Sequence, residues 1–430
     1  MSIQKATNQL IKAVKWQNER VAQMANLGDP YEPNVVNNQQ AIDAKTTALV
    51  GELIMADVYS LPAVAKPVEP EPNTREPLPI DTERVQGGGK VNGTTMHRCI
   101  ILTSVRPGDY FDVHLPAGRV KGCSIGALNW GDLDRTLPFW GDQTIRIIGH
   151  PDGTTITEAS QYTIAAQNHP GWCGKVHYCN LDIETSPRNL FNGNVYGNMK
   201  FEPIEVRFID CNLIEGERDC LRPISLNQAS VALVRGTAKL PGADEHLIYS
   251  RGVHKHIIIH EHELDGVGAQ WIQAVSRRSE GPQLDRGNIY LYDSQAHDYG
   301  RTPGRSGSAV TLAGSNCNLH MDNVTMTDKD GSSHGAIVAY DGDGKSYLLP
   351  SGKTNGHIKI NDLTVDQSDM DRSVAKFEDQ ESLVVTDSGW WAPNREIRIV
   401  GDNIHWSGNK GNIPVRVNGV DYAITQEVTV

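Results

Sequence analysis

The amino-acid sequence predicts a mainly β protein, folded as a parallel β-helix solenoid behind a small α-helical module. The first observation is a pattern that occurs seven times between Val176 and Ile404. An apolar residue is followed four positions later by a polar residue and then at once by another apolar residue. The polar positions are Asn180, Asn212, Glu263, Gln295, Asn323, Asp362 and Asn403. Irregular spacings of roughly 30 to 50 residues are typical of stacked repeats, in which no single unit can bury its own apolar face.

The second observation is a series of short strand-like segments after about residue 91, such as residues 257–259 and 358–360. The third is that no helix-period segment of useful length appears there. A sandwich or a barrel also contains many short strands. The repeated polar position favours the β-helix, because Asn tolerates left-handed backbone and suits a bend between two inward-facing strand segments. The predicted β-helix domain spans residues 96–430.

The amino-terminal residues have helical periodicity instead. Within residues 3–26, apolar side chains such as Leu10 and Val14 recur near helical spacing, and a second helical stretch is predicted over about residues 38–58. A helical pair of this size has too little core to be stable alone. We therefore expect residues 1–60 to form an attachment and assembly module that packs against copies of itself or against a partner.

A linker is predicted over residues 61–95. It contains the prolines Pro62, Pro67, Pro70, Pro72, Pro77 and Pro79, followed by consecutive glycines at residues 87–89. Proline-rich segments are extended and semi-rigid, whereas a glycine run is flexible. This change in composition marks a domain boundary.

Composition and charge exclude several classes of protein. The net charge of -12 argues against a nucleic-acid-binding protein, which needs a basic patch. No stretch approaches the roughly 20 apolar residues of a membrane span. The polar start of the chain does not resemble a secretory signal, so we expect synthesis and folding in a cytoplasm. The 7 cysteines contain no C-x-x-C pair and are odd in number, which predicts buried thiols rather than disulfides or zinc, and no cofactor is predicted.

The opening of the β domain resembles a known fold. Residues 106–110 (RPGDY) and 115–118 (LPAG) are similar to the entry of the right-handed β-helix superfamily that contains pectate lyases and bacteriophage tailspikes. Residues 145–153 (IRIIGHPDG) are similar to its first full rung. The resemblance extends from about residue 100 to about residue 405 and implies a right-handed β-helix, which specifies fold more than activity.

The order of the segments resembles a phage virion protein. In such proteins a short amino-terminal adaptor docks on the particle and a trimeric β-helix projects from it, whereas secreted polysaccharide lyases should start with a signal peptide. The resemblance implies a homotrimer that is made in the host cytoplasm and located in the virion. It also implies contacts with other virion proteins through residues 1–60 and with a host-surface glycan.

Polysaccharide-cleaving members of this superfamily use paired carboxylates, or Ca²⁺ with Arg or Lys, on the outer face of the helix. The candidates for catalytic carboxylates are Asp210, Glu261 and Glu215. Asp210 and Glu261 are predicted to be vertical neighbours, or to be separated by one strand if residues 230–234 form an extra one. Either arrangement falls within the roughly 5 to 9.5 Å used by glycosidases. A solvated surface edge is the competing interpretation.

No metal site is predicted. His260 and His262 are expected on one face of a strand, with Glu261 and Glu263 on the other, and spacing identifies no third ligand. Residues 341–344 (DGDG) are similar to a fragment of a calcium loop but lack its ligand set, so they predict a turn.

Aromatic residues are the candidates for glycan binding, namely Trp271, Trp390 and Trp391. Core packing is the competing interpretation for each. Adjacent residues in a strand point to opposite faces, so Trp390 and Trp391 cannot both point inward. At least one of them is expected to be exposed or to lie at a subunit contact.

These observations together predict a trimeric, tailspike-like virion protein for recognition of a host-surface polysaccharide, with or without glycan cleavage. One alternative is a capsid decoration or vertex protein without enzymatic activity. Another is a free polysaccharide lyase or hydrolase.

Overall fold

A computed structural model gives the architecture of the carboxyl-terminal three quarters of the chain. It describes residues 110–430 except 116, 122–123, 126–143, 158–161, 168–174, 188, 195–204, 218, 228, 252, 276–286, 302–306, 316, 329–334, 341–354 and 368–372. The predicted helical module at residues 1–60, the predicted linker at residues 61–95 and the predicted turn at residues 341–344 lie outside the described residues.

The described residues are mainly β. In chain order the first strands are β1 (Tyr110–His114), β2 (Gly118–Lys121), β3 (Ser124–Ile125), β4 (Thr144–Ile148), β5 (Thr154–Thr157), β6 (Tyr162–Gln167), β7 (Lys175–Cys179), β8 (Asp182–Glu184), β9 (Asn189–Asn194), β10 (Glu205–Ile209), β11 (Asn212–Ile214), β12 (Ile224–Asn227), β13 (Ala229–Lys239), β14 (Ile248–Arg251) and β15 (Val253–Val267). The remaining strands are β16 (Ile272–Val275), β17 (Gly287–Tyr299), β18 (Ser308–Ala313), β19 (Cys317–Asp328), β20 (Gly335–Tyr340), β21 (Asn355–Gln367), β22 (Ala375–Phe377), β23 (Gln380–Thr386), β24 (Gly389–Trp391), β25 (Ile397–Ile399), β26 (Ile404–Ser407), β27 (Lys410–Gly411), β28 (Val415–Val417), β29 (Val420–Tyr422) and β30 (Val428–Thr429).

These strands form two sheets, a large one of 18 strands and a small one of 12. From β12 to β22 successive strands alternate between the two sheets. Each of them pairs in parallel with the preceding strand of its own sheet, as β15 does with β13 and β16 with β14. Among the described strands, only the pairs β26–β30 and β28–β29 are antiparallel. The predicted mainly β fold with parallel strands is therefore confirmed, and it is consistent with a β-helix.

The large sheet bends along one column of residues with left-handed backbone. The column, here called the bend column, consists of Asn180, Asp210, Arg235, Glu261, Asp293, Asn323, Asp362 and Asp387, with φ between 48° and 55°. The strand register places each of these residues beside the next. Asn and Asp tolerate this conformation better than other side chains. Each bend changes the direction of the strand and shifts the inward-facing positions by one residue, as from Phe208 before Asp210 to Cys211 and Leu213 after it.

The predicted bend positions need correction in four of the seven segments. Asn180, Asn323 and Asp362 lie in the bend column. Asn212, Glu263 and Gln295 lie two residues past it, in a separate column in which Thr237 stands between Asn212 and Glu263. Asn403 has left-handed backbone but immediately precedes β26. The offset arises because strand side chains alternate with a period of two, so a shift of two residues preserves the same inward apolar pattern.

One continuous apolar core includes side chains from both sheets. On β10, Val206 and Phe208 point into it, and Ile257 and Ile259 do so on β15. The rings of Tyr178 and Phe208 stack with centroids 5.2 Å apart, and Phe191 of the small sheet meets Phe208 edge-on at 5.9 Å. Burying each of these large apolar side chains stabilises the fold by about 1.5–3 kcal/mol.

The carboxyl-terminal strands turn back over the last parallel strands. Antiparallel β29 covers the edge of β28, and antiparallel β30 covers that of β26. Ile424 and Val428 from this region are buried in the core, and the backbone carbonyl of Ile424 accepts a hydrogen bond from Nε1 of Trp406 at 3.0 Å. No helix among the described residues is long and apolar enough to cross a membrane.

Candidate functional site

The structure separates Asp210 from Glu261 by one strand. Residues 230–234 lie in that strand, β13, which pairs with β10 on one side and β15 on the other. Two strand spacings place the Asp210 and Glu261 backbones about 9.6 Å apart. Arg235 lies between them in the bend column, and its Nε donates a hydrogen bond to Oδ1 of Asp210 at 2.9 Å. The guanidinium therefore interrupts the predicted carboxylate pair.

Glu215 instead approaches Asp219. It follows β11 at the far end from the bend column, and its carboxylate accepts a hydrogen bond from the backbone N–H of Gly242. A Cβ added to Gly242 would lie 2.8 Å from Oε1 of Glu215 and 3.4 Å from Oδ1 of Asp219. Because both oxygens lie close to the same point, they are at most about 6 Å apart, which is compatible with the closer carboxylate spacing of retaining glycosidases.

Asp219 and Gly242 line a cleft of about 470 Å³, here called the corner cleft, which is within the usual size range of ligand pockets. Glu215 lines a smaller adjoining cavity that shares these two residues. The corner cleft is lined by Pro187, Asp219, Cys220, Leu221, Pro241, Gly242, Ala243, Asp244 and Arg301. The Arg301 guanidinium pairs with Asp298 at 3.0 Å and passes beside Gly266. Carboxylates and a guanidinium therefore line the same cleft, which suits hydrogen bonding to a hydroxyl-rich ligand.

Backbone hydrogen bonds between successive loops hold the corner cleft in shape. The N–H of Leu221 donates to the carbonyl of Pro187 at 3.1 Å, and that of Asp244 donates to Cys220 at 2.8 Å. The next loop continues the series through Gly268, whose N–H donates to Ala243 at 2.6 Å. The loops are thus stacked like the strands that precede them, and the carboxylates project from a fixed backbone.

The predicted histidine arrangement is wrong in one respect. The bend at Glu261 places His260 on the outside of the sheet and His262 on the inside, so they do not share a face. Burial lowers the pKa of His262 to about 3, and burial also lowers that of His260, whose Nε2 lies 3.5 Å from Oδ2 of Asp293. In the described part of the chain, no three His, Cys, Asp or Glu side chains are grouped to hold a metal ion.

Of the predicted aromatic residues, Trp271 and Trp390 are fully buried. Trp390 packs in the core with its ring centroid 5.9 Å from that of Trp406. Neither Trp271 nor Trp390 presents a ring face at the surface of the chain, which corrects the expectation that they contact a glycan. Trp391 points the other way and is partly exposed, as the alternation of β24 requires.

Trp391 ends a polar surface that follows the large sheet beyond the bend column. This surface, here called the outer polar face, consists of Asp182, Asn212, Thr237, Lys239, Glu263, Asp265, Gln295, His297, Thr325, Thr327, Thr364, Asp366 and Trp391, all of which are partly or fully exposed. Hydrogen bonds link its neighbours, for example from Nδ2 of Asn212 to Oδ1 of Asp182 at 2.9 Å and from Oγ1 of Thr237 to Oδ1 of Asn212 at 3.0 Å. It offers hydroxyl, amide and carboxylate groups at a strand spacing of about 4.8 Å.

Comparison with known proteins does not assign the chain to a family. No family model, curated protein or solved structure matches this chain. Its class is therefore defined by the fold, as a mainly β protein whose parallel strands are consistent with a β-helix.

Proposed function

We propose that the chain is a bacteriophage virion structural protein, a tailspike-like homotrimer of right-handed β-helices that recognises a host-surface polysaccharide. The outer polar face is the observation that carries this proposal. It repeats similar hydrogen-bonding groups over many strands, as a binder of a repetitive polymer requires. A small-molecule enzyme would instead place its polar groups in one enclosed pocket.

Attachment to the particle is assigned to residues 1–60, with residues 61–95 as the tether. The support comes from the sequence, which combines a helical module too small for its own core with a proline-rich boundary. The test is a chain that begins at Gly87. We expect it to fold with the same thermal unfolding temperature for its β domain and to be missing from purified particles, which mass spectrometry of virions would measure. Normal incorporation of the shortened chain would overturn the attachment assignment.

Glycan cleavage is a second candidate function, favoured by the approach of Glu215 and Asp219 across Gly242, beside the corner cleft. One carboxyl would donate a proton to the glycosidic oxygen while the other acts as nucleophile or base. The readout is release of reducing ends from host-surface polysaccharide. Glu215→Gln and Asp219→Asn should each reduce the rate at least 100-fold, whereas Asp402→Asn, at an exposed position elsewhere, should not. If the unaltered protein released no reducing ends, the cleavage proposal would be overturned and only glycan recognition would remain.

A further inference from the structure

We propose that Trp391 forms the floor of a binding site for a neutral hexose glycan at the carboxyl-terminal end of the outer polar face. This inference rests on the proposed function and adds the position of the site and the chemical class of its ligand. It is supported by the placement of one aromatic ring, the polar groups around that ring and the local charge.

The ring of Trp391 lies against the outside of its own strand. A Cβ added to Gly389 would collide with the Cζ3 and Cη2 atoms of that ring, so only glycine leaves room for it there. Trp391 nevertheless stays partly exposed, whereas the adjacent Trp390 is fully buried. A ring held against the backbone on one side presents its other side to solvent. Such a surface stacks well on the C–H face of a sugar ring.

Polar groups surround the ring at known strand positions. Asp366 pairs in register with Trp391, and Thr364 pairs with Gly389. On the following strand, Lys410 pairs with Gly389, and the backbone N–H of Asn412 donates to the carbonyl of Trp390 at 3.1 Å. Asp366, Lys410 and Asn412 are exposed. Neighbouring strands are about 4.8 Å apart, so these groups can reach hydroxyls at the edges of a sugar that rests on the ring.

The charge near the ring favours a neutral glycan. The Asp366 carboxylate and the Lys410 ammonium balance one another on opposite sides of Trp391. Further along the outer polar face, the carboxylates of Asp182, Glu263 and Asp265 outnumber the ammonium of Lys239, and the whole chain carries a net charge of -12. An anionic polysaccharide would be repelled by this field, whereas a neutral one would not.

Electrophoresis in native gels that contain a dissolved polysaccharide tests the proposal, because binding slows the protein in proportion to its affinity. The probes are dextran, mannan and galactan as neutral glycans and dextran sulfate as an anionic one. We expect the unaltered protein to be slowed by at least one neutral glycan. Trp391→Ala should weaken this binding about tenfold, and Trp391→Phe should lose less because it keeps a ring. Lys359→Ala, an exposed change on β21 outside the outer polar face, is the matched control.

The outcomes separate the site from the proposed function. If a neutral glycan slows Trp391→Ala as much as the unaltered protein, the site is wrong and glycan recognition stands. If only dextran sulfate binds, the assigned ligand class is wrong. If no probe binds, this site is overturned and glycan recognition loses its support too. Should Trp391→Ala lower the thermal unfolding temperature, Trp391→Phe and Asp366→Asn carry the test, with a loss of binding expected for both.

Discussion

Left-handed backbone is costly for residues other than glycine, asparagine and aspartate, and the bend column mostly uses Asn and Asp. Arg235 and Glu261 are exceptions. The backbone strain at Arg235 is offset by its ion pair with Asp210. In this pair a second hydrogen bond runs from Nη2 of Arg235 to Oδ2 of Asp210 at 3.2 Å. The side chain of Glu261 is exposed, so it gains no burial energy that would offset the backbone strain.

Replacing Glu261 by asparagine should therefore stabilise the fold. We expect Glu261→Asn to raise the free energy of unfolding by roughly 0.5–1 kcal/mol, because asparagine adopts left-handed backbone at lower cost. Urea denaturation measures the change. The control is Glu263→Asn, two residues away in ordinary strand backbone, which should give no gain. Equal gains at both positions would contradict the strain argument.

Polar side chains inside the core complete the hydrogen bonding beside the bends. The bend interrupts the parallel ladder, and the N–H of the next residue then needs another partner. The N–H of Leu363 donates a hydrogen bond to Oγ of Ser388 at 3.2 Å. The N–H of Ser388 in turn donates to Oδ1 of Asn409 at 3.0 Å. Asn409→Leu should cost about 1–3 kcal/mol of stability, because it leaves a buried N–H without an acceptor. Asn212→Leu, at an exposed strand position, is the control, and a similar loss there would count against this explanation.

Buried histidines should make stability depend on pH. Burial lowers the pKa of His262 to about 3 and that of His320 to about 4, the latter with help from nearby Lys359. Above pH 6.5 neither the folded nor the unfolded state is protonated at these sites. Below it, the unfolded chain takes up protons that the folded chain does not, so each histidine destabilises the fold by about 1.4 kcal/mol per pH unit until its folded pKa is reached.

Urea denaturation at pH 7.5 and pH 5 measures this dependence. His262→Asn should reduce the loss of stability between the two pH values by about 2 kcal/mol, because its contribution spans about 1.5 pH units. The control is His405→Asn, at a partly exposed position on β26, for which we expect the original loss. If His262→Asn lost as much stability between pH 7.5 and pH 5 as the unaltered protein, another group would govern the loss of stability at acidic pH.

At the scale of strands, the sequence pattern predicted parallel pairing and the inward apolar residues well. Leu264, Leu363 and Ile404 follow predicted polar positions, and all three are buried. The pattern could not locate every bend, because a shift of two residues leaves the same side chains inside. Nor could it predict the corner cleft, since loops far apart in sequence meet there only through the strand register. Trp391 was predicted as a ligand-binding candidate, but the sequence could not show that its ring packs against Gly389.

Charge placed at an inward strand position should unfold the domain. Leu264 and Leu213 are buried in the core, so Leu264→Asp or Leu213→Asp would bury a carboxylate without a partner and cost at least about 3–5 kcal/mol. Asn180→Ser should have a mild effect, because a small polar residue remains at that bend. Circular dichroism melting of the soluble fraction measures both. Recovery of folded Leu264→Asp protein would contradict the strand register.

At the scale of the whole molecule, the proposed assembly is a homotrimer. Three chains arranged with cyclic symmetry would each bury one side against a neighbour and bring three amino-terminal modules to one docking site. Light scattering should give a mass of about three times that of the 47.2 kDa chain. A monomer at micromolar concentration would favour the free polysaccharide lyase or hydrolase and remove the main argument for a spike.

The antiparallel strands β29 and β30 have a consequence for how copies of the protein behave together. A parallel sheet that simply stopped would expose unpaired N–H and C=O groups, a template on which the next copy could grow a fibre. Here the chain reverses direction at the end of both sheets and occupies those positions with its own residues. The residues of β29 and β30 therefore leave less strand edge open at this end of the sheets, which disfavours end-to-end pairing between copies.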